Sequence, residues 1–299
     1  MHVLVTGGAG FIGRQVVRGL LERGDRVSVV DLKPQADESV RHVQGDLRDA
    51  AVTAESLTED VEAVVHLAAL TRVLDSINDP DGVFRTNILA SHFLLERCRE
   101  LETPSFVFAS TNAVVGDVGS RLIVEQMPLR PLTPYGASKA AVENLMGAYS
   151  SCYGLKMMPL RFTNVYGRGM QVKDSVIARM MRSALDGSGI QIYGNGEQVR
   201  DYVYVTDVVG AILLGIELPE SEVLVIGSGE SISMNDLYAR TCAVTGVEIP
   251  KEHIAPKPGE MPAVIVDNSY AKTRGWGPEH DIESGIAATW EDFKASRRG

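Results

Sequence analysis

The feature that most limits how this chain can fold is the run Thr6-Gly-Gly-Ala-Gly-Phe-Ile-Gly13. It follows directly on the short apolar segment His2–Val5 and opens the amphipathic stretch Phe11–Arg23. Glycines three residues apart between a strand and a helix each have a physical task. Gly7 allows the tight turn, Gly10 lets an anionic group approach the backbone at the positive helix end, and Gly13 lets helix and sheet pack closely. A second apolar run, Arg26–Val30, closes on Asp31, 18 residues after Gly13. That is close to the interval at which an acid receives the ribose hydroxyls of an adenine dinucleotide. The carboxylate repels a 2′-phosphate, so the pattern selects NAD over NADP. Gly45-Asp46-Leu47 follows the third strand and offers a carboxylate and an apolar side chain to the adenine edge.

The same rhythm continues. Val61–Leu67 and Ser105–Ala109 read as strands, and Gly82–Glu100 and Tyr135–Cys152 as helices. Strands apolar on both faces and separated by helices predict a parallel sheet covered on both sides, a doubly wound α/β fold of the Rossmann type. Beyond Arg161 the pattern loosens into a helix at 174–186, Gly- and Pro-punctuated segments at 193–197 and 257–260, and a short strand at Val223–Ile226. This predicts a smaller, loop-rich lobe. The expected division is a cofactor-binding domain over 1–165 and mainly substrate-binding elements over 166–299, with some segments returning to the first domain.

Composition narrows the partners. A chain of 299 residues, 44% hydrophobic and 23% charged, can bury a large core. Its net charge of −10 opposes binding to nucleic acid or to anionic membrane surfaces, so an anionic small ligand must be captured by local donors. Cys98, Cys152 and Cys242 form neither a disulfide framework nor a metal motif, and the histidines show no ligand spacing. The expectation is a reducing, cytoplasmic location with no protein-held metal. No apolar run reaches membrane-helix length, and the glycine loop begins too early to leave room for a secretory leader.

Tyr135-Gly-Ala-Ser-Lys139 begins the helix after Pro134 and places a phenol and an ammonium on one face at i, i+4. A nearby cation favours the phenolate, so such a tyrosine can act as a base near neutrality.

Taken together, TGGAGFIG at 6–13, Asp31, GDLRD at 45–49, HLAA at 66–69, Asn87, Ser110-Thr111, YGASK at 135–139, LRFTNVYG at 160–167 and RDYVYVTDV at 200–208 occur in one order. In this order they resemble the extended short-chain dehydrogenase/reductase family, and within it the nucleotide-sugar epimerase/dehydratase branch. The resemblance implies Tyr135 as general base and acid, Lys139 on the nicotinamide ribose, and Thr111, with Ser110 its neighbour, on the reacting sugar hydroxyl. It implies NAD contacts at Gly7, Gly10, Phe11, Ile12, Gly13, Asp31, Asp46, Leu47, Leu67, Ala68, Ala69, Tyr135 and Lys139. For the nucleotide-diphosphate sugar it implies Ser110, Asn164, Gln171, Tyr193, Arg200 and Lys257. His66 and Asn87 are read as packing and hydrogen-bonding residues, and the helices at 82–100 and 134–152 as a homodimer interface.

Dehydratases of the branch carry an acid pair after the Thr, and decarboxylating relatives commonly a Glu at the second of these positions. Here the two positions hold Asn112 and Ala113. Gln171 stands where uronic-acid epimerases carry an Arg, and an uncharged amide suits a neutral hexose. The expected activity is a 4-epimerase interconverting UDP-glucose and UDP-galactose by transient oxidation at C4. Alternatives are a dehydratase, a 4-ketosugar reductase, and a non-catalytic NAD-binding protein.

Overall fold

The computed structural model describes residues 1–34, 37, 39–256 and 261–297. The chain divides into two compact units. One comprises Met1–Asp117, Glu125–Phe162 and Val209–Leu224; the other comprises Val118–Val124, Thr163–Val208 and Val225–Gly299. The two units alternate along the chain, for two physical reasons. The second half of the helix Val205–Glu217 returns to the first unit, where Val209 lies over Gly19, and Gly215 over Val107 and Leu160. The short strand Leu122–Ile123 leaves it, because it pairs in parallel with Ile265–Val266.

The first unit contains β1 (His2–Thr6), α1 (Phe11–Arg23), β2 (Arg26–Asp31), β3 (Arg41–Gln44), α2 (Ala50–Ser56), β4 (Ala63–His66), α3 (Val73–Asn78), α4 (Pro80–Val83), α5 (Ala90–Glu100) and β5 (Ser105–Thr111). After β6 (Leu122–Ile123) of the other unit come α6 (Pro134–Tyr153) and β7 (Lys156–Phe162). The strands lie in the order β7-β5-β4-β1-β2-β3. Every neighbouring pair among them is parallel. Two strand centres, Val3–Val5 and Ala63–Val65, are wholly inaccessible, as a sheet covered by helices on both faces requires. Leu94, Leu95, Phe106, Val142 and Met146, from α5, β5 and α6, belong to one core cluster that also takes in Leu4, Val30 and Val64 of the sheet.

Local sequence explains the element ends. Helix α1 stops at Gly24, whose φ of 89° lets its amide reach the Leu20 and Leu21 carbonyls. Helix α6 starts with Thr133 accepting from the Gly136 amide and Pro134 in its first turn. The helix expected over Gly82–Glu100 is not uniform. Residues Phe84–Leu89 form a π-helical turn between α4 and α5, with Asn87 buried within it.

The second unit contains β8 (Asn164–Tyr166), α7 (Val176–Asp186), β9 (Ile190–Tyr193), β10 (Val199–Tyr204) and the start of α8 (Val205–Glu217). The chain passes from one unit to the other within β11 (Leu224–Ile226), and then β12 (Ser231–Ser233), α9 (Met234–Thr245), β13 (Lys251–Ile254), β14 (Ile265–Val266), α10 (Ser269–Thr273) and α11 (Ile282–Ser296) follow. Strand β10 is central, parallel to β8 and antiparallel to β12, while β9 pairs with β13.

The glycine loop leaves no room for a larger side chain at Gly13. A Cβ on Gly13 would lie 2.1 Å from the Gly7 carbonyl oxygen and 2.7 Å from Gly8 Cα, both backbone atoms that cannot swing aside. Gly13→Ala should therefore cost about 1–3 kcal/mol in urea denaturation, the cost of overpacking a close contact. An unchanged midpoint would mean that helix and loop separate without penalty.

Candidate active site

The loop after β1 is shaped by contacts that only glycine permits. The Gly7 amide donates to Val30 O (2.9 Å) and the Gly10 amide to Gly7 O (3.0 Å). Gly7 adopts a φ of 71°, and a Cβ there would meet the Ala68 amide nitrogen at 2.9 Å. The Leu67-Ala68-Ala69 segment is thus pressed against the glycine turn. Gly10 caps α1 without a side-chain hydrogen bond, and the first turn, which includes Phe11 and Ile12, carries no acid. Its amides form a positive, uncapped end suited to a pyrophosphate. Asp31, at the end of β2, accepts from the Ala9 amide (3.0 Å) and the Lys33 amide (2.9 Å), which fixes its carboxylate beside the loop. Leu47 is buried. Asp46 is paired with Arg48, whose hydrogen bonds hold its carboxyl below the usual range. The donor set, the close backbone approach and the ribose-side acid fit a bound NAD.

Beneath this loop runs a buried chain of hydrogen bonds whose direction follows from donor arithmetic. Thr6 Oγ1 accepts from the Leu67 amide (3.2 Å) and the Ala68 amide (3.1 Å). Its own proton therefore goes to His66 Nδ1, 2.7 Å away. Burial holds the His66 ring down to about 3, so it is neutral and carries its proton on Nε2. Nε2 donates to Ser91 Oγ (2.8 Å), and Ser91 donates to the Asn87 carbonyl (2.6 Å). The Asn87 amide group accepts from the Leu70 amide (2.8 Å) and donates to Leu70 O (3.0 Å) and to Ser138 Oγ (3.0 Å). Ser138 in turn donates to the Tyr135 carbonyl (2.7 Å). The network connects the glycine loop to the helix that bears Tyr135.

Thr111 at the end of β5 and Tyr135 and Lys139 in the first turns of α6 converge. The Thr111 hydroxyl lies close enough to the Tyr135 phenol to favour its ionised form, while its own hydrogen bonds run to Asn112 Oδ1 (3.3 Å) and from the Ala113 amide (3.2 Å). Lys139 Nζ donates to the Ala109 carbonyl (2.8 Å) and lies 4.4 Å from the centre of the Phe108 ring. Desolvation pushes the Tyr135 phenol up to about 12, opposed by the Thr111 hydroxyl. Desolvation also lowers Lys139 to about 7, opposed by Glu143. In this arrangement burial dominates both groups, and the ammonium points at a backbone carbonyl.

Ser110 is placed differently from Thr111. Successive strand residues face opposite ways, and Ser110 is buried with its hydroxyl donating to Glu143. Glu143 also takes Arg161 Nε (3.1 and 3.2 Å) and Nη2 (2.7 Å), and Arg161 Nη1 donates to Glu125 O (2.9 Å). Sequence reasoning missed Glu143 and Arg161. The available signals were a Glu on the Tyr135–Lys139 face, at i+8 from the tyrosine, and an Arg inside the apolar run of β7.

In the second unit, Asn164 Nδ2 donates to Asp201 O (2.9 Å), and half-buried Arg200 donates to Val199 O (2.8 Å). Asp201 is fully buried and accepts from Thr163 Oγ1 (2.8 Å), Ser228 N (2.8 Å), Ser228 Oγ (2.9 Å) and Gly229 N (2.9 Å). It fixes the strand that carries Arg200 and was not anticipated from sequence. Tyr193 ends β9 half-buried. The Gln171 amide donates to Asp292 and, at 2.9 Å, to Ser296, so its nitrogen is held by α11. Lys257 lies outside the described residues. No helix among the described residues is long and apolar enough to cross a membrane.

Fold, glycine loop and Thr-Tyr-Lys cluster define an NAD-binding protein of the extended short-chain dehydrogenase/reductase type. The model of the NAD dependent epimerase/dehydratase family matches residues 3–227, and the chain belongs to that family. It is similar to the Thermotoga maritima UDP-glucose 4-epimerase solved with UDP-glucose, at 34% identity and a TM-score of 0.95, with 99% of this chain and 100% of that chain covered. A Thermus thermophilus UDP-glucose 4-epimerase in complex with NAD is 34% identical with a TM-score of 0.93, over 99% of this chain and 100% of that one. A Streptomyces antibioticus dTDP-glucose 4,6-dehydratase is 32% identical, with 99% of this chain and 93% of the relative covered.

Neutral, buried His66 has a measurable consequence. The unfolded ring binds a proton near 6.5, whereas the folded ring does so only at about 3. Between those values the unfolded state holds the extra proton, so stability is full above about pH 6.5 and falls as pH drops. Lowering the pH from 7 to 5.5 should cost about 1 kcal/mol through this group. His66→Gln, which keeps a donor and an acceptor, should flatten the dependence by that amount in paired urea titrations. Parallel curves for the two proteins would remove His66 as the cause.

Proposed function

We propose that this chain is an NAD-dependent nucleotide-sugar 4-epimerase acting on UDP-hexoses, with UDP-glucose and UDP-galactose its best pair. The observation that carries the reading is the juxtaposed Thr111–Tyr135 pair beside the buried Lys139, followed in sequence by Asn112 and Ala113. Elimination of water across C5 and C6 needs a further acid and base. Neither an amide nor a methyl group performs that transfer.

The roles follow from chemistry. Thr111 orients the sugar O4, and Tyr135 takes the O4 proton as base and returns it as acid. Lys139 holds the nicotinamide ribose, and its positive charge favours the phenolate form of Tyr135. NAD, when bound, would supply the acceptor and donor for a hydride at C4. If the 4-keto sugar presents its other face before hydride return, C4 is inverted with no net redox change. In the second unit Asn164, Arg200, Tyr193 and Lys257 are assigned to the nucleotide and its phosphates. Gln171 is assigned to a neutral sugar, through the oxygen of an amide whose nitrogen α11 already engages. The similarity to UDP-glucose 4-epimerases supports this over the dehydratase reading, which the dTDP-glucose 4,6-dehydratase relative keeps as the second choice. A homodimer formed through α5 and α6, where Tyr153 is 54% exposed, completes the proposal.

Purified protein should convert UDP-glucose to UDP-galactose without net NADH. Tyr135→Phe should lower turnover at least ~100-fold with bound NAD unchanged. Failure to epimerise UDP-glucose, UDP-N-acetylglucosamine or UDP-glucuronate would refute the assignment, and a product lighter by about 18 Da would establish the dehydratase. Light scattering at the mass of one 32.3 kDa chain would refute the dimer.

A further inference from the structure

Helix α6 engages three consecutive residues of β5 through three side chains of one face. Tyr135 meets the Thr111 side chain, Lys139 the Ala109 carbonyl and Glu143 the Ser110 hydroxyl. We propose that Glu143, gripped by Arg161, is a positioning residue for the Tyr135–Lys139 pair: it pins α6 to the end of β5 and keeps a negative charge one helical turn from the Lys139 ammonium. The inference rests on Tyr135 and Lys139 being the reactive pair of the proposed function.

The geometry admits few other sources for that influence. Both members of the Glu143–Arg161 pair are 4% exposed in their side chains, so water screens them little. Arg161 approaches from β7, directly opposite Ser110 in the sheet register. Among the described residues, the groups shown to interact with Lys139 include the Phe108 ring and Ala109 carbonyl of β5, the neutral His66 of β4 and Glu143 on its own helix, where Tyr135 lies one turn away. Glu143 alone among them carries a negative charge. It opposes the desolvation that pulls Lys139 down to about 7, and so keeps the residue charged over more of the neutral range.

The test measures the Lys139 titration directly by carbon-13 NMR of lysine-labelled protein, assigned with Lys139→Arg, and separately the pH profile of kcat. Glu143→Gln should move the Lys139 titration at least threefold in proton affinity toward lower pH, with the alkaline limb of kcat following. If the unpaired Arg161 prevents folding, Glu143→Gln combined with Arg161→Met removes both charges and should move the titration in the same direction. Ser110→Ala, which removes only the hydroxyl contact, should leave the titration in place. An unmoved titration in folded Glu143→Gln or in the double variant would overturn the inference. A moved titration in a protein that epimerises no nucleotide sugar would instead overturn the function assigned to the site.

Discussion

The site depends on a lysine held out of water. Lys139 is 2% exposed, and burying an isolated ammonium costs several kcal/mol unless polar groups replace its hydration. The replacements come from one place: the Ala109 carbonyl at 2.8 Å, the Phe108 ring at 4.4 Å and the Glu143 carboxylate behind it. Because two of these groups belong to β5 and the third is tied to β5 through Ser110, satisfying the cation also fixes where α6 crosses the strand ends. Thr111 and Tyr135 meet as a consequence. Charge satisfaction and the geometry of the Thr111, Tyr135 and Lys139 cluster are here the same constraint.

The second constraint is the neutrality of His66. A hydroxyl that already receives two amides must donate, and this makes His66 an acceptor at Nδ1 and a donor at Nε2. A charged ring would donate from both nitrogens and break the chain at Thr6. Burial prevents that, so the direction of every bond from Thr6 to the Asn87 carbonyl is determined. The π turn at Phe84–Leu89 sets Asn87 where its carbonyl, oxygen and amide serve three separate partners. Wide turns of this kind are costly in a helix and occur mostly where function requires them.

Local features of the cofactor loop were legible in the sequence, because glycine spacing and the Asp31 interval are consequences of short-range geometry. Helix α1 spans the segment read from its pattern, and β1, β2 and β5 differ by no more than two residues at an end. What was not legible depends on three-dimensional neighbours. Nothing in the pattern of 82–100 marks a π turn, since periodicity does not distinguish a single widened turn from α-helix. Ser110 and Thr111 are chemically alike, and only the packing of α6 over the end of β5 sets one beside Glu143 and the other beside Tyr135. Asp201, next to Arg200, reads as a surface acid until four donors are seen around it. The unit boundary inside α8 escaped notice because an apolar helix is equally compatible with either neighbour.

The opposed shifts of Tyr135 and Lys139 have a chemical meaning. Pushed up to about 12, the phenol keeps its proton at neutral pH, while the ammonium, brought down to about 7, holds its own only partly. Such a pair is a poor base at rest, and ionisation of Tyr135 requires added stabilisation of the phenolate. Positive charge brought close to the phenol supplies it, which makes loss of a proton from Tyr135 conditional on what occupies the site. A base that becomes competent only alongside its reaction partner avoids stray proton transfer. In the function proposed for this site, the charge on Lys139, and Glu143 behind it, would be the point at which the surrounding protein sets the working pH.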